Sequence, residues 1–166
     1  MSLIATGLAA APATTPQQAP AKQSLDQFLE GSIPLCMKAP AVQCIDRGFA
    51  YADANKNRML SLAEVKAMQL EVNGWAKTNG KRLTPQEREK LIMGLLVIQT
   101  VGPEQLFQSY DVDRDGQLTR EELTADVKLD KRPLPEILSD PKSVDWDALA
   151  ARAGQAAPFL KKLFPL

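Results

Sequence analysis

The chain has 166 residues, 45% hydrophobic and 24% charged, and its 20 basic and 20 acidic residues give a formal net charge of zero. That length supports a packed core, the charge balance argues against nucleic acid as the main partner, and no uninterrupted apolar run of about twenty residues offers a transmembrane helix. Histidine is absent, which removes His-dependent triads, histidine general bases and His-ligated zinc.

Residues 1–23 are rich in alanine, proline, threonine and glutamine and lack the composition of a core, so they read as an extended or disordered tail. Residues 3–11 also match the end of a secretory h-region, with Ala11-Pro12-Ala13 as a small-residue cleavage site and no basic n-region ahead of it. A remnant of a secretion signal and a simple low-complexity tail both fit. Cys36 and Cys44 follow, separated by a proline-containing turn. Two cysteines without histidine cannot complete a structural zinc site. In an oxidising compartment they close a short loop as a disulfide; in the cytosol they stay as buried thiols. The disulfide agrees with an export-like N-terminus, so the expected location is periplasmic or extracellular, with the cytoplasm as the alternative.

Cys44 and Phe49 fall on a helix that leads into residues 53–64, Asp-Ala-Asn-Lys-Asn-Arg-Met-Leu-Ser-Leu-Ala-Glu. The helix expected next, over residues 61–77, carries Leu62, Val65, Met68, Leu70 and Val72 as a broad apolar stripe. A turn at 78–81 precedes another helix, with Thr84 as N-cap, Pro85 at the first helical position and Glu87 completing a capping box. Leu91, Ile92, Leu95, Leu96 and Ile98 predict that this helix is largely buried. Gly102-Pro103 stops it, and Pro103 begins a helix that presents Phe107 and reaches Tyr110.

Residues 111–122 read Asp-Val-Asp-Arg-Asp-Gly-Gln-Leu-Thr-Arg-Glu-Glu, with carboxylates at positions 1, 3, 5 and 12, glycine at 6 and leucine at 8. Alternating Asp111, Asp113 and Asp115 converge on one point, as a hard cation requires when it collects about six to eight oxygens at about 2.3–2.6 Å. An acidic surface turn explains Asp115-Gly116 but neither the glutamate at 12 nor the leucine at 8. Leu123 and Val127, four residues apart, predict an exiting helix.

Both twelve-residue segments resemble the EF-hand calcium loop, and the resemblance covers residues 43–129. It implies a second site in which Asp111, Asp113 and Asp115 supply side-chain oxygens, Gln117 its backbone carbonyl, Thr119 a water-mediated contact and Glu122 both carboxylate oxygens. In the first loop the corresponding ligands are Asp53, Asn55, Asn57, the Met59 carbonyl and Glu64, with Ser61 at position 9. That loop departs from the pattern. Two asparagines replace aspartates, and Arg58 stands where glycine serves a left-handed turn. These changes weaken a site by about one to three orders of magnitude, leaving either weak binding or a loop kept only for pairing. Leu60 and Leu118 are expected to pair in a short antiparallel bridge. The implied fold is all-α: paired EF-hand helix–loop–helix motifs, an inserted helix between them and additional C-terminal helices, within one helical domain spanning 24–166.

In the C-terminal extension, residues 133–166, Pro133, Pro135 and Pro141 break the chain, and Asp145 or Ser143 caps a helix carrying Trp146, Leu149 and Ala150. Residues 158–164 are apolar and basic, suited to a membrane surface, a partner's groove or the apolar face of the paired motifs. Ser24, Ser61, Ser109 and Ser139 have no histidine partner, and Gly80-Lys81 lacks the phosphate-loop glycines before it, so no enzyme is expected. The chain resembles an exported, bacterial-type two-EF-hand protein. Its expected function is a calcium sensor or signalling protein that binds Ca²⁺ strongly at the second loop and weakly or not at all at the first. The alternative is a structural or adaptor protein stabilised by Ca²⁺. The expected partners are the calcium ion and a helix of another protein.

Overall fold

A computed structural model describes residues 23–158; the expectations for residues 1–22 and for the apolar, basic stretch at 159–164 lie outside the described residues. Helix α1 (Leu25–Cys36) starts at Ser24, whose hydroxyl accepts from the Gln27 amide while the Gln27 side chain accepts from the Ser24 amide. Helix α2 (Ala41–Ala52) follows after a four-residue turn. A disulfide joins Cys36 to Cys44, with Cα atoms 4.9 Å apart, so the end of α1 is pinned to the first turns of α2. Closing so short a loop stabilises the fold by about 2–3 kcal/mol in the chain-entropy account. Arg47 Nε donates to Ser32 Oγ at 2.8 Å, and the Phe28 and Tyr51 rings stack with centroids 4.1 Å apart.

Strand β1 (Leu60–Ser61) leads into helix α3 (Leu62–Asn79), and a 3₁₀ turn at Gly80–Arg82 connects it to α4 (Pro85–Val101). The Thr84, Pro85 and Glu87 start signal acts as composed: Thr84 and Glu87 cap each other reciprocally. Gly102, at φ 87°, makes the sharp step into α5 (Pro103–Tyr110). Strand β2 (Gln117–Leu118), α6 (Arg120–Leu123), α7 (Leu134–Ser139) and α8 (Trp146–Ala153) complete the described chain, with 3₁₀ turns at Pro141–Ser143 and Gly154–Ala156. The all-α class therefore holds for the described residues, whose only sheet is the two-residue pair β1–β2. Asp145 caps α8 by accepting from the Ala148 amide at 3.0 Å.

The pair is antiparallel, with Leu60 opposite Leu118 and Ser61 opposite Gln117, the leucine pairing expected from the sequence. Both leucines are buried with Phe107, and Phe49, Ala52, Leu62, Val65 and Tyr110 pack around them. Helix α5 also packs against α3, so the segments flanking the two loops share one apolar centre. A second cluster lies on α4, where Val97 is buried against Ala153 and Ala156, with Val101 and Ala157 beside them.

Three elements differ from the sequence reading. The helix after residues 111–122 ends at Leu123 instead of running through Val127. Thr124 Oγ1 turns back to the Arg120 carbonyl at 2.9 Å, and Val127 leaves the helix to bridge Val144 in an antiparallel pair. Helix α4 is not largely buried: Ile92 and Leu96 are 49% and 37% exposed, and only Val97 is fully covered among its residues. Its apolar residues surround the axis, so periodicity could not assign an inner face. Finally, α7 forms across Pro135. That proline sits in the first turn, where a missing N–H costs no intrahelical bond.

The C-terminal helices are tied back at several points. The Ala41 amide donates to the Arg132 carbonyl at 2.9 Å, Ile137 is fully buried, and α7 packs against α2. Asp126, 5% exposed, accepts from Arg152 Nε at 2.8 Å and from the Tyr110 hydroxyl at 2.9 Å. The Arg152 guanidinium also lies 4.3 Å from the Tyr110 ring centroid and donates to the Ser109 carbonyl. Burial, together with the Asp126 carboxylate, pushes the Tyr110 phenol above its usual range, so it remains a donor. Losing one partner of such a buried pair costs about 3 kcal/mol or more, because the other charge stays behind unpaired. This clamp joins the residue before the 111–122 loop, the turn after α6, and α8.

Candidate metal centre

The two loops begin alike. The Asp53 amide donates to the Phe49 carbonyl at 2.9 Å and the Asp111 amide to the Phe107 carbonyl at 3.0 Å, closing α2 and α5 on buried or half-buried phenylalanines. The chain then folds around the first carboxylate. In the first loop the Asn57 amide donates to Asp53 Oδ1 at 3.1 Å and the Arg58 amide to Asp53 Oδ2 at 2.8 Å. In the second, the Asp115 and Gly116 amides donate to the two oxygens of Asp111, each at 3.1 Å. Asn55 and Asp113, at position 3, accept from the amides of Asn57 and Asp115. Asn57 and Asp115, at position 5, accept from Met59 and Gln117.

Each loop is closed by its last residue. Glu64 Oε1 accepts from the amides of Ala54 (2.9 Å) and Asn55 (3.2 Å), and Oε2 from the amide and hydroxyl of Ser61. Glu122 Oε1 accepts from the Val112 amide at 2.9 Å, and Oε2 from the amide and hydroxyl of Thr119. Ser61 and Thr119 return the bond by accepting from the glutamate amides, so each glutamate is both loop clasp and helix cap. Burial raises the Glu64 carboxyl, but hydrogen bonds from Ser61, Asn55 and Ala54 outweigh it and hold it below the ordinary value. Thr119, with Val112 and Asp113, holds Glu122 low against a smaller desolvation effect.

The backbone repeats as well. Lys56 and Arg114 at position 4 have φ 60°, and Arg58 and Gly116 at position 6 have φ 67° and 80°. Arg58 thus holds the left-handed conformation that Gly116 adopts freely, at a cost of about 1–2 kcal/mol for a residue with a Cβ.

What distinguishes the loops is charge. Asp111, Asp113 and Asp115 each offer an oxygen within 4.8 Å of the others, the one such acidic cluster among the described residues. Oxygens on opposite sides of a calcium ion stand at most about 5 Å apart, so the cluster fits a single hard cation. Its donors are carboxylate oxygens, without the imidazole or thiolate that softer metals favour. Asp113 and Asp115 are exposed and Asp111 half-buried. Glu122 lies outside the cluster, its oxygens engaged in closing the loop. Thr119 spends its hydroxyl on Glu122. The first loop gathers only Asp53 and Glu64 as carboxylates; Asn55 and Asn57 are neutral.

Sequence spacing missed the contacts between loops. Asn57 Nδ2 donates to Gln117 Oε1 at 2.8 Å, so position 5 of one loop reaches position 7 of the other. Arg120 pairs with Asp46 at 2.7 Å, linking α6 to α2; both side chains are well exposed, so solvent screens the pair and it contributes little to stability. The partners are 60 and 74 residues apart, beyond the reach of any local pattern. Comparison of the chain with protein families, with curated proteins and with solved structures finds no match.

Two predictions follow from this geometry. Glu64 and Glu122 have folded-state pKa values below their unfolded ones, so their contribution is present above the unfolded carboxylate range and is lost as pH falls through the folded values. In chelator, the melting temperature falls as pH drops from about 5 toward 3, and exchange of the Ala54 and Val112 amides accelerates over the same interval; flat profiles contradict the closure described. Arg58→Gly relieves the left-handed strain and raises the melting temperature by a few degrees, corresponding to about 1 kcal/mol. Gly116→Ala, whose Cβ meets no atom within 4 Å, lowers it through the backbone alone. Equal or reversed shifts count against the shared conformation.

Proposed function

We propose that the protein binds calcium through paired EF-hand motifs, with one ion held strongly in residues 111–122 and a weak or absent ion in residues 53–64. The observation that carries this reading is the convergence of Asp111, Asp113 and Asp115 oxygens within 4.8 Å on a loop already closed at both ends. Three carboxylates at that separation repel one another, and a divalent cation reverses the sign of that interaction. Asp111, Asp113, Asp115 and Glu122 would hold the ion with the Gln117 carbonyl, and Thr119 through water. In the first loop, Asp53, Asn55, Asn57, the Met59 carbonyl and Glu64 form a set with two fewer charges, and Asn57 also donates its side-chain N–H to Gln117 of the other loop.

The role proposed is binding, not catalysis, and the clamp on Asp126 favours calcium as a structural staple. A sensor needs an element with two arrangements that the ion biases. Helix α6 has four residues, with Glu122 tied to the loop on one side and Asp126 to Arg152 and Tyr110 on the other. The disulfide supports export, and an extracellular module works with a Kd of about 10⁻⁴–10⁻³ M.

Calcium titration calorimetry on wild type, Glu122→Gln and Glu64→Gln, with magnesium as control, tests the assignment. Wild type gives one dominant binding step that Glu122→Gln abolishes and Glu64→Gln largely spares. No heat in wild type, or unchanged binding in Glu122→Gln, removes the reading. Near-UV circular dichroism separates the roles: a staple raises the melting temperature with the folded spectrum unchanged, whereas a large spectral change on calcium addition restores the sensor.

A further inference from the structure

The helices that leave the two loops are unequal. Glu64 belongs to α3, which has 18 residues, whereas Glu122 belongs to α6, which has four. A single helical turn does not hold its own place, because so short a helix depends on what it is tied to. The chain beyond α6 is tied to α8. Arg152 Nε donates at 2.8 Å to Asp126 Oδ2, just past Glu122, and the same guanidinium donates to the Ser109 carbonyl, just ahead of Asp111. It also lies 4.3 Å from the ring centroid of Tyr110, whose hydroxyl reaches the same Asp126 oxygen at 2.9 Å. One side chain, 20% exposed, thus grips both ends of residues 111–122. Helix α8 is itself seated: Ala153 is buried against Val97 of α4, and the Asp145 amide donates to the Asp126 carbonyl at 2.8 Å.

We propose that Arg152 is a positioning residue for calcium: by fixing the width of the loop's base, it sets the affinity of residues 111–122. The inference rests on the calcium reading given above. Without an ion, repulsion among Asp111, Asp113, Asp115 and Glu122 is relieved if the ends of the loop splay apart. Binding must then draw them back together, and that ordering weakens the site. A guanidinium bonded to both ends closes this route and keeps the carboxylates gathered before the ion arrives. Arginine suits the task, since its planar fork bonds two acceptors while its face stacks on a ring, which an ammonium does not match. Charge acts in the opposite direction. A positive group near the loop repels a cation, so its removal through charge alone would tighten binding. The sign of the effect therefore separates positioning from electrostatics.

Calcium calorimetry on the full chain, well below the melting temperature, tests the proposal with Arg152→Met, Arg152→Lys, Tyr110→Phe and Ile137→Val. Arg152→Met weakens the Glu122-dependent step by about tenfold. Arg152→Lys, which keeps the charge without the fork, and Tyr110→Phe, which removes only the hydroxyl bond to Asp126, weaken it by smaller factors and serve if Arg152→Met does not fold. Ile137→Val, at a fully buried position on α7, lowers the melting temperature and leaves the affinity unchanged. Hydrogen exchange in chelator adds a readout that needs no ion. Arg152→Met and, to a lesser degree, Arg152→Lys accelerate the Val112 amide, bonded to Glu122, and leave the Ala54 amide, its counterpart on Glu64, as in wild type. Unchanged or tighter calcium binding in the Arg152 variants overturns the proposal, and so does unchanged Val112 exchange. Absence of any calcium step in wild type removes the calcium reading and the affinity claim with it, whereas intact binding that ignores Arg152 removes this inference alone.

Discussion

The two-residue ladder in which Leu60 faces Leu118 is the constraint on which the rest of the structure depends. Each helix–loop–helix alone would leave its apolar face in water. The ladder sets the two loops side by side, and the buried leucines then meet Phe107, with Phe49 and Val65 alongside. It also brings Asn57 within hydrogen-bond reach of Gln117. The first loop therefore has a structural task even without an ion. Its strained Arg58 is tolerated because Asp53 accepts from the Arg58 amide and from that of Asn57 before it, holding the backbone in place.

The loops solve one problem in different ways. In the first, the carboxylates are few and buried, Asp53 at 7% exposure and Glu64 at 9%; Asp53 accepts from two backbone amides, and Glu64 from three amides and the Ser61 hydroxyl. In the second, three aspartates crowd together near water with no basic side chain bonded to them. Hydrogen bonds from the backbone order those carboxylates without removing their mutual repulsion. The same fold thus carries two carboxylates in the first loop, and three clustered aspartates with Glu122 in the second.

What could be read from the sequence is what a few neighbouring residues encode. The Thr84–Glu87 cap, the step at Gly102-Pro103 and the aspartate alternation all act within about a dozen residues, and the leucine at position 8 is placed by the spacing of its own loop although it pairs with the other loop. The cysteine pairing was legible as one of two outcomes because the spacing is short. The early end of α6 was not, since it depends on Val127 finding Val144 and on Asp126 finding Tyr110 and Arg152, which lie 16 and 26 residues away. The exposure of α4 was misread because apolar content implies cover without saying what provides it. At the candidate site, the positions of the aspartates were plain from spacing, whereas the Asn57–Gln117 contact required the fold.

The central claim is that residues 111–122 hold a calcium ion through the carboxylates their backbone already positions. The Gly116 amide, bonded to Asp111 Oδ2 at 3.1 Å, and the Arg58 amide, bonded to Asp53 Oδ2 at 2.8 Å, report directly on the two loops. In an amide NMR titration with calcium, Gly116 shifts first and saturates near one equivalent, and Arg58 moves only at higher concentration or not at all. A Gly116 resonance that stays in place while calcium is added, or an Arg58 resonance that saturates before it, contradicts the account.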